Sequence, residues 1–203
     1  MKIIYLLPPS EGKKDKHLFS EHSLSFEFQR PLEIAKNATQ KDLKCIWNRF
    51  LEWIELNSNI LNSQTNFVIN RYDWVMYKAI DYENMTSKWQ KYFENNFLIF
   101  SWMFGILKPN DKIGNYKLTI ETKLLYDFRK SKITNTLNEL DADVIIDFLP
   151  NSYKKMIDKK HLNKKLIEVD FVTEKDWKIQ KISHWVKKIK WEFIKEICEN
   201  NWF

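Results

Sequence analysis

Three short polar segments hold the side chains that could do chemistry. Ser10-Glu11-Gly12-Lys13 places a hydroxyl, a carboxylate and an amine around one of only three glycines in 203 residues. Such a loop can act as an anion cradle, with backbone N–H groups exposed beside glycine and a lysine adding charge. It is not a P-loop, which needs an earlier glycine and a following Ser or Thr. The same residues also make an ordinary turn with a solvated lysine. The second segment, Ser101 to Asp111, carries Lys108 and Asp111, with Tyr116 and Lys117 close behind. Asp111 there is either a polar rim group or a turn cap. The third segment is Asn151-Ser152-Tyr153, after a proline.

Each segment follows an apolar run that reads as a strand: residues 2–7, 97–101 and 143–149. The connections between these runs are long and contain helical periodicity, which suits parallel strands. Parallel strands would bring all three segments to one sheet edge, where open α/β sheets bind ligands. The expected rim is then Ser10, Lys13, Ser101, Lys108, Asp111, Asn151, Ser152 and Tyr153, with Tyr116 and Lys117 beside it. Around this frame the pattern predicts helices over 31–37, 39–61, 66–80, 86–95, 123–140, 151–157 and 184–200. Thr39 and Asp42 form a capping pair at the second of these. Strands are predicted over 166–172 and 177–183, and a glycine-containing loop over 102–114. The fold expected is a single α/β domain spanning 1–203, with a mixed, partly parallel sheet flanked by helices.

Composition narrows the function classes. The chain is 44% hydrophobic with nine Trp and fourteen Phe, ample for a core. No apolar run reaches the roughly 20 residues that cross a bilayer. The short first run ends in two prolines rather than a cleavage site, so a cytoplasmic location without membrane contact is expected. Cys45 and Cys198 lie far apart and read as buried hydrophobes. His17 and His22 lack metal-ligand spacing, and Ser152 with His184 lacks a nucleophile elbow. No metal site and no cofactor are expected. The net charge is +6, almost all from lysine, since Arg30, Arg49, Arg71 and Arg129 are the only arginines. That excess favours an anionic partner without choosing between nucleic acid and a small molecule. The last predicted helix adds Lys187, Lys188, Lys190 and Lys195 beside Val186 and Ile189.

Four stretches together resemble the YaaA family of peroxide stress proteins. They are LLPPSEGK (6–13), SWMFGILKPNDKIGNYKLTIETKL (101–124), DVIIDFLPNSYKKMI (143–157) and KISHWVKKIKWEFIKEICENN (181–201). Their order and spacing hold along nearly the whole chain. Lys13, Ser101, Gly105, Pro109, Asp111, Tyr116, Tyr153, Ser183, Lys187 and Lys188 match the family pattern. Lys108, Lys117 and Lys190 stand where the family has arginine, which keeps charge but not bidentate geometry. Trp102 and Trp191 replace glycines, and Thr119 and Ser152 replace family carboxylates. The chain ends at Phe203, short of the extension many members carry.

The resemblance implies the family's own α/β fold and a cytoplasmic role in hydrogen peroxide stress. It also implies DNA binding through a basic cleft and a helix-hairpin-helix-like element. Helices 31–61 stand where that element belongs, yet hold no glycine to bring backbone N–H groups to a phosphate. The contacts expected are therefore non-specific ones from lysines: Lys187, Lys188 and Lys190, with Lys13, Lys108 and Lys117 at the crevice. A second reading is an enzyme or small-ligand binder that takes an anionic molecule into the crevice. Ser10, Lys13, Tyr116, Lys117, Asn151 and Tyr153 would hold it, with Tyr153 or a lysine as acid–base group. A third reading, prompted by the lost carboxylates, is a relative that keeps the fold and little activity.

Overall fold

Five apolar residues in a row, Ile3–Leu7, form the central strand β1, and all five are buried. A strand buried on both faces needs a layer on each side. The computed structural model describes residues 1–16, 18–26, 29–43, 47–118, 124–175, 178–181 and 186–200, with backbone alone at 29, 47, 124, 126–127, 173–175, 178–181, 186–188 and 190–191. The further strands are β2 (Asn66–Phe67), β3 (Phe97–Ser101), β4 (Gly105–Leu107), β5 (Lys112–Ile113), β6 (Val144–Asp147), β7 (Lys165–Glu168), β8 (Val172–Lys175) and β9 (Lys178–Lys181). The helices are α1 (Gln29–Lys36), α2 (Gln40–Leu43), α3 (Trp47–Ser58), α4 (Val68–Arg71), α5 (Val75–Ile80), α6 (Ser87–Asn96), α7 (Leu124–Glu139), α8 (Asn151–Lys154) and α9 (Val186–Asn200).

The main sheet has the order β4-β3-β1-β6-β7. β1 pairs in parallel with β3 and β6, and β6 pairs in parallel with β7, while β4 folds back antiparallel on β3. This is the mixed, mostly parallel α/β sheet expected. Strand periodicity assigns its two cores. Ile3, Tyr5 and Leu7 join Phe97, Ile99, Val144 and Ile146 on one face, under Tyr77, Ile80, Phe93, Ile194 and Ile197 of α5, α6 and α9. Ile4 and Leu6 join Leu98, Phe100 and Ile145 on the other, under Leu125, Ile133 and Leu137 of α7. The edge strand β7 is mostly exposed and carries Lys165 and Glu168, charges that discourage pairing with a further strand.

The strand predicted over 166–172 ends at Glu168, with Val172 opening the β8–β9 hairpin, and the helix predicted over 151–157 ends at Lys154; three further segments also differ from their predicted form. Residues 66–80 are not one helix: β2 and α4 lead through an extended Tyr72 into α5. Arg71 decides this, because its buried guanidinium donates to the carbonyls of Ile113, Lys14 and Gln64 and ties three loops together. Within 102–114, Gly105–Leu107 is a strand rather than loop, made possible by Gly105 at φ +85°. A side chain there would meet the Arg129 guanidinium, which donates to the Trp102 and Met103 carbonyls. Among the described side chains of α9, Ile194, Ile197 and Cys198 are buried, whereas Ile189, which helical spacing from Phe193 and Ile197 puts on an apolar stripe, is exposed. The Thr39–Asp42 capping pair forms as predicted, each residue's backbone N–H meeting the other's side chain. Cys45 and His17 lie outside the described residues. No helix among the described residues is long and apolar enough to cross a membrane.

Candidate functional site

Because β1, β3 and β6 run in parallel, the segments after them do meet at one sheet edge. The chain leaves β1 towards β3 on one side and β6 towards β7 on the other, which opens a crevice beside the central strand.

The loop after β1 is clasped to the segment between α4 and α5. Lys14 N–H donates to the Arg71 carbonyl at 2.8 Å, and Asp73 N–H donates to the Gly12 carbonyl at 2.9 Å. Ser10 is buried, and its hydroxyl donates to the Asp73 carbonyl. A Cβ on Gly12 would lie 2.5 Å from that same carbonyl oxygen. Gly12 is therefore needed for close backbone approach, but what approaches is Asp73 of the protein itself. Ser10 and Gly12 build the loop, and Lys13 is the residue they present.

Lys13 is half-buried with its Nζ 4.0 Å from the centroid of the Tyr116 ring and 5.5 Å from that of Tyr72. Its nearest acceptor is the Ser10 carbonyl at 3.4 Å. Among the described residues no carboxylate lies within ion-pairing distance of it. Burial, with repulsion from Lys117 and Arg71, pushes Lys13 down to about 7, and Glu11 opposes this only in part. Contact with a ring face favours the ammonium by about 1 kcal/mol. That is less than one pKa unit, so loss of hydration is the larger effect.

Beneath Lys13 lies a row of buried hydroxyls. Tyr72 and Tyr116 are 3.0 Å apart at their oxygens, Tyr116 is 2.8 Å from Ser101 Oγ, and Ser101 accepts the Phe104 N–H at 3.0 Å. Burial holds the Tyr72 and Tyr116 phenols above their ordinary value. Tyr116 and Ser101 thus lie under Lys13 as a buried floor, without lining the opening itself. Tyr77 belongs to the same buried group and donates to the Pro8 carbonyl at 2.8 Å.

Above that floor a cleft of about 460 Å³ opens to solvent, lined by Glu11, Gly12, Lys13, Arg49, Glu52, Trp53, Trp74, Lys117 and Leu118. Lys117 is fixed by reciprocal backbone bonds with the buried Asn57 of α3, at 2.8 and 3.0 Å. Arg49 and Trp53 come from one face of α3, four residues apart. Trp74 is exposed at the start of α5. Sequence reasoning missed Arg49, Trp53 and Trp74, because periodicity alone reads α3 as a core helix. The i, i+4 pairing of an arginine with a tryptophan was the available signal.

The other expected site residues fall elsewhere. Lys108 is exposed at the far end of the β3–β4 hairpin, and does not line the cleft. The hairpin carries it back along the sheet, away from the edge where Ser101 sits. Asp111 is buried in the turn it closes, accepting from Lys108 N–H and the Ser25 hydroxyl at 2.8 Å each. Asn151 and Ser152 are exposed in the first turn of α8. Tyr153 is half-buried, with its ring 5.6 Å from that of Trp102, and burial raises its phenol. Lys187, Lys188 and Lys190 lie along α9, where only the backbone is described. Ser183, Thr119 and His184 lie outside the described residues. His22 donates from Nε2 to the Ile60 carbonyl at 2.7 Å.

The fold and the cleft define an α/β protein with cationic and aromatic groups gathered at the carboxyl edge of a central parallel strand. The family model described as peroxide stress protein YaaA matches residues 1–202, and the chain belongs to that family. Among its relatives, a UPF0246 protein of Pseudoalteromonas translucida is 26% identical over 97% of this chain and 81% of its own length. A UPF0246 protein of Fusobacterium nucleatum is 27% identical over 98% of this chain and 86% of its own. One from Francisella tularensis subsp. novicida is 29% identical over 68% of this chain and 59% of its own length.

Proposed function

We propose that the protein serves the peroxide stress response by binding nucleic acid, and that the cleft around Lys13 takes an unpaired nucleotide. One observation carries the reading: Lys13, Arg49 and Lys117 share a single opening with Trp53 and Trp74. Cations meet phosphates and indoles stack on bases, the combination that single strands and loops require. The same lining holds Glu11 and Glu52, so its net charge is small. A long duplex tract gains little from such a site, whereas one extruded nucleotide gains stacking as well as charge. Lys187, Lys188 and Lys190 of α9 would add to the field that attracts the strand.

The test is fluorescence anisotropy of single-stranded, bubble and duplex oligonucleotides against the full chain. Single-stranded and bubble DNA bind more tightly than duplex on this reading. Affinity falls with salt by about 0.7 log units per log unit for each phosphate neutralised. Trp74→Ala and Lys117→Ala each weaken binding about tenfold, the order of one stacked base or one well-placed charge. Equal binding of duplex, or unchanged affinity in both variants, rejects it. A free nucleotide that competes as well as the strand would favour the small-ligand reading of the same cleft.

A further inference from the structure

We propose that Lys13 is a nucleophilic amine that condenses with the aldehyde of a phosphorylated carbonyl compound seated in the cleft. The inference rests on the cleft being the ligand site, as above, and adds a reaction to it. The amine reaches the opening with no carboxylate among the described residues close enough to hold it as a salt, and it rests half-buried against the rings of Tyr116 and Tyr72. The charged groups that act on it are Glu11, Lys117 and Arg71, two of the three cationic. Burial and the two cations push Lys13 down to about 7, so far more of it is free amine at neutral pH than of an ordinary lysine. A desolvated lysine beside another cation is the arrangement that makes an amine reactive towards carbonyls. Arg49 and Lys117 are placed to hold the phosphate, and Trp53 and Trp74 supply apolar walls.

The step balances without an oxidant or reductant. The Lys13 nitrogen lone pair forms a bond to the carbonyl carbon, the carbonyl π electrons move to oxygen, and a proton passes from that nitrogen to the oxygen to give a neutral carbinolamine. The nitrogen then expels that oxygen as water, with a second proton from solvent, and an iminium remains. The aldehyde has two possible sources: an abasic sugar within a DNA strand, or a free sugar phosphate.

Trapping with borohydride separates them, since hydride converts the imine to a stable secondary amine. The full chain is incubated with an abasic-site oligonucleotide, with an intact oligonucleotide, or with glyceraldehyde 3-phosphate, then reduced and mapped by mass spectrometry. The expected adduct falls on Lys13, about tenfold above any other lysine. It is absent in Lys13→Arg, which keeps the charge, and its yield rises with pH through about 7. Strand binding by anisotropy without any adduct at Lys13 overturns the inference and leaves the nucleic-acid reading standing. Labelling by glyceraldehyde 3-phosphate without strand binding supports the inference with a small substrate and removes nucleic acid. Adducts spread evenly over surface lysines overturn it.

Discussion

Lys13 shows how a single residue departs from what its type implies. From sequence it is a charge beside a glycine. In the fold it is a half-buried amine over Tyr116, pushed down to about 7. This has a consequence for stability. The unfolded chain holds the lysine proton up to the ordinary lysine value, whereas the folded chain loses it near 7. Between those values the unfolded state binds more protons, so wild-type stability rises with pH. Lys13→Met removes the buried ammonium and with it this slope. Urea midpoints of variant and wild type are expected to differ most at about pH 6, in favour of the variant, and to draw together progressively as pH rises from about 7 to about 10. A gap that does not change with pH would show that Lys13 is an ordinary solvated lysine.

At the scale of elements, the loop after β1 owes its shape to its clasp on Asp73. Gly12→Ala puts a methyl group 2.5 Å from the Asp73 carbonyl oxygen. Overpacking of this kind costs about 1–3 kcal/mol. The variant's unfolding free energy, read from urea titration, is expected to drop by that amount, and Lys13 to lose its place over Tyr116. An unchanged midpoint would mean that the clasp yields freely. The parallel strands β1, β3 and β6, the main helices and the shared sheet edge were legible in sequence, because buried strands read as continuous apolar runs and amphipathic helices as three- and four-residue spacings; the short strands β2, β4 and β5 were not. The role of Ser10 was not legible. A hydroxyl before a glycine looks the same whether it faces a ligand or a carbonyl 63 residues away. Nor was the break in 66–80, since it depends on Arg71 meeting carbonyls from three distant loops. Asp111 was open between rim and turn cap, and only the position of Ser25 decides it.

At the scale of the whole molecule, a central parallel strand with neighbours reached in opposite directions leaves one edge open. The chain uses that edge to collect groups from β1, α3, the start of α5 and the segment after β5. Among the described residues, Lys13, Arg49 and Lys117 meet Trp53 and Trp74 in this cleft. Family membership covers residues 1–202, so the framework that builds this edge is the family's framework. The most direct test is photocrosslinking of a single strand carrying 5-iodouracil to the full-length protein, with the attached residues identified by mass spectrometry. The account predicts crosslinks at Trp74 or Trp53, lost when Lys13 and Lys117 are both replaced by Ala. Crosslinks confined to α9 or to the β3–β4 hairpin, and indifferent to those replacements, would contradict it.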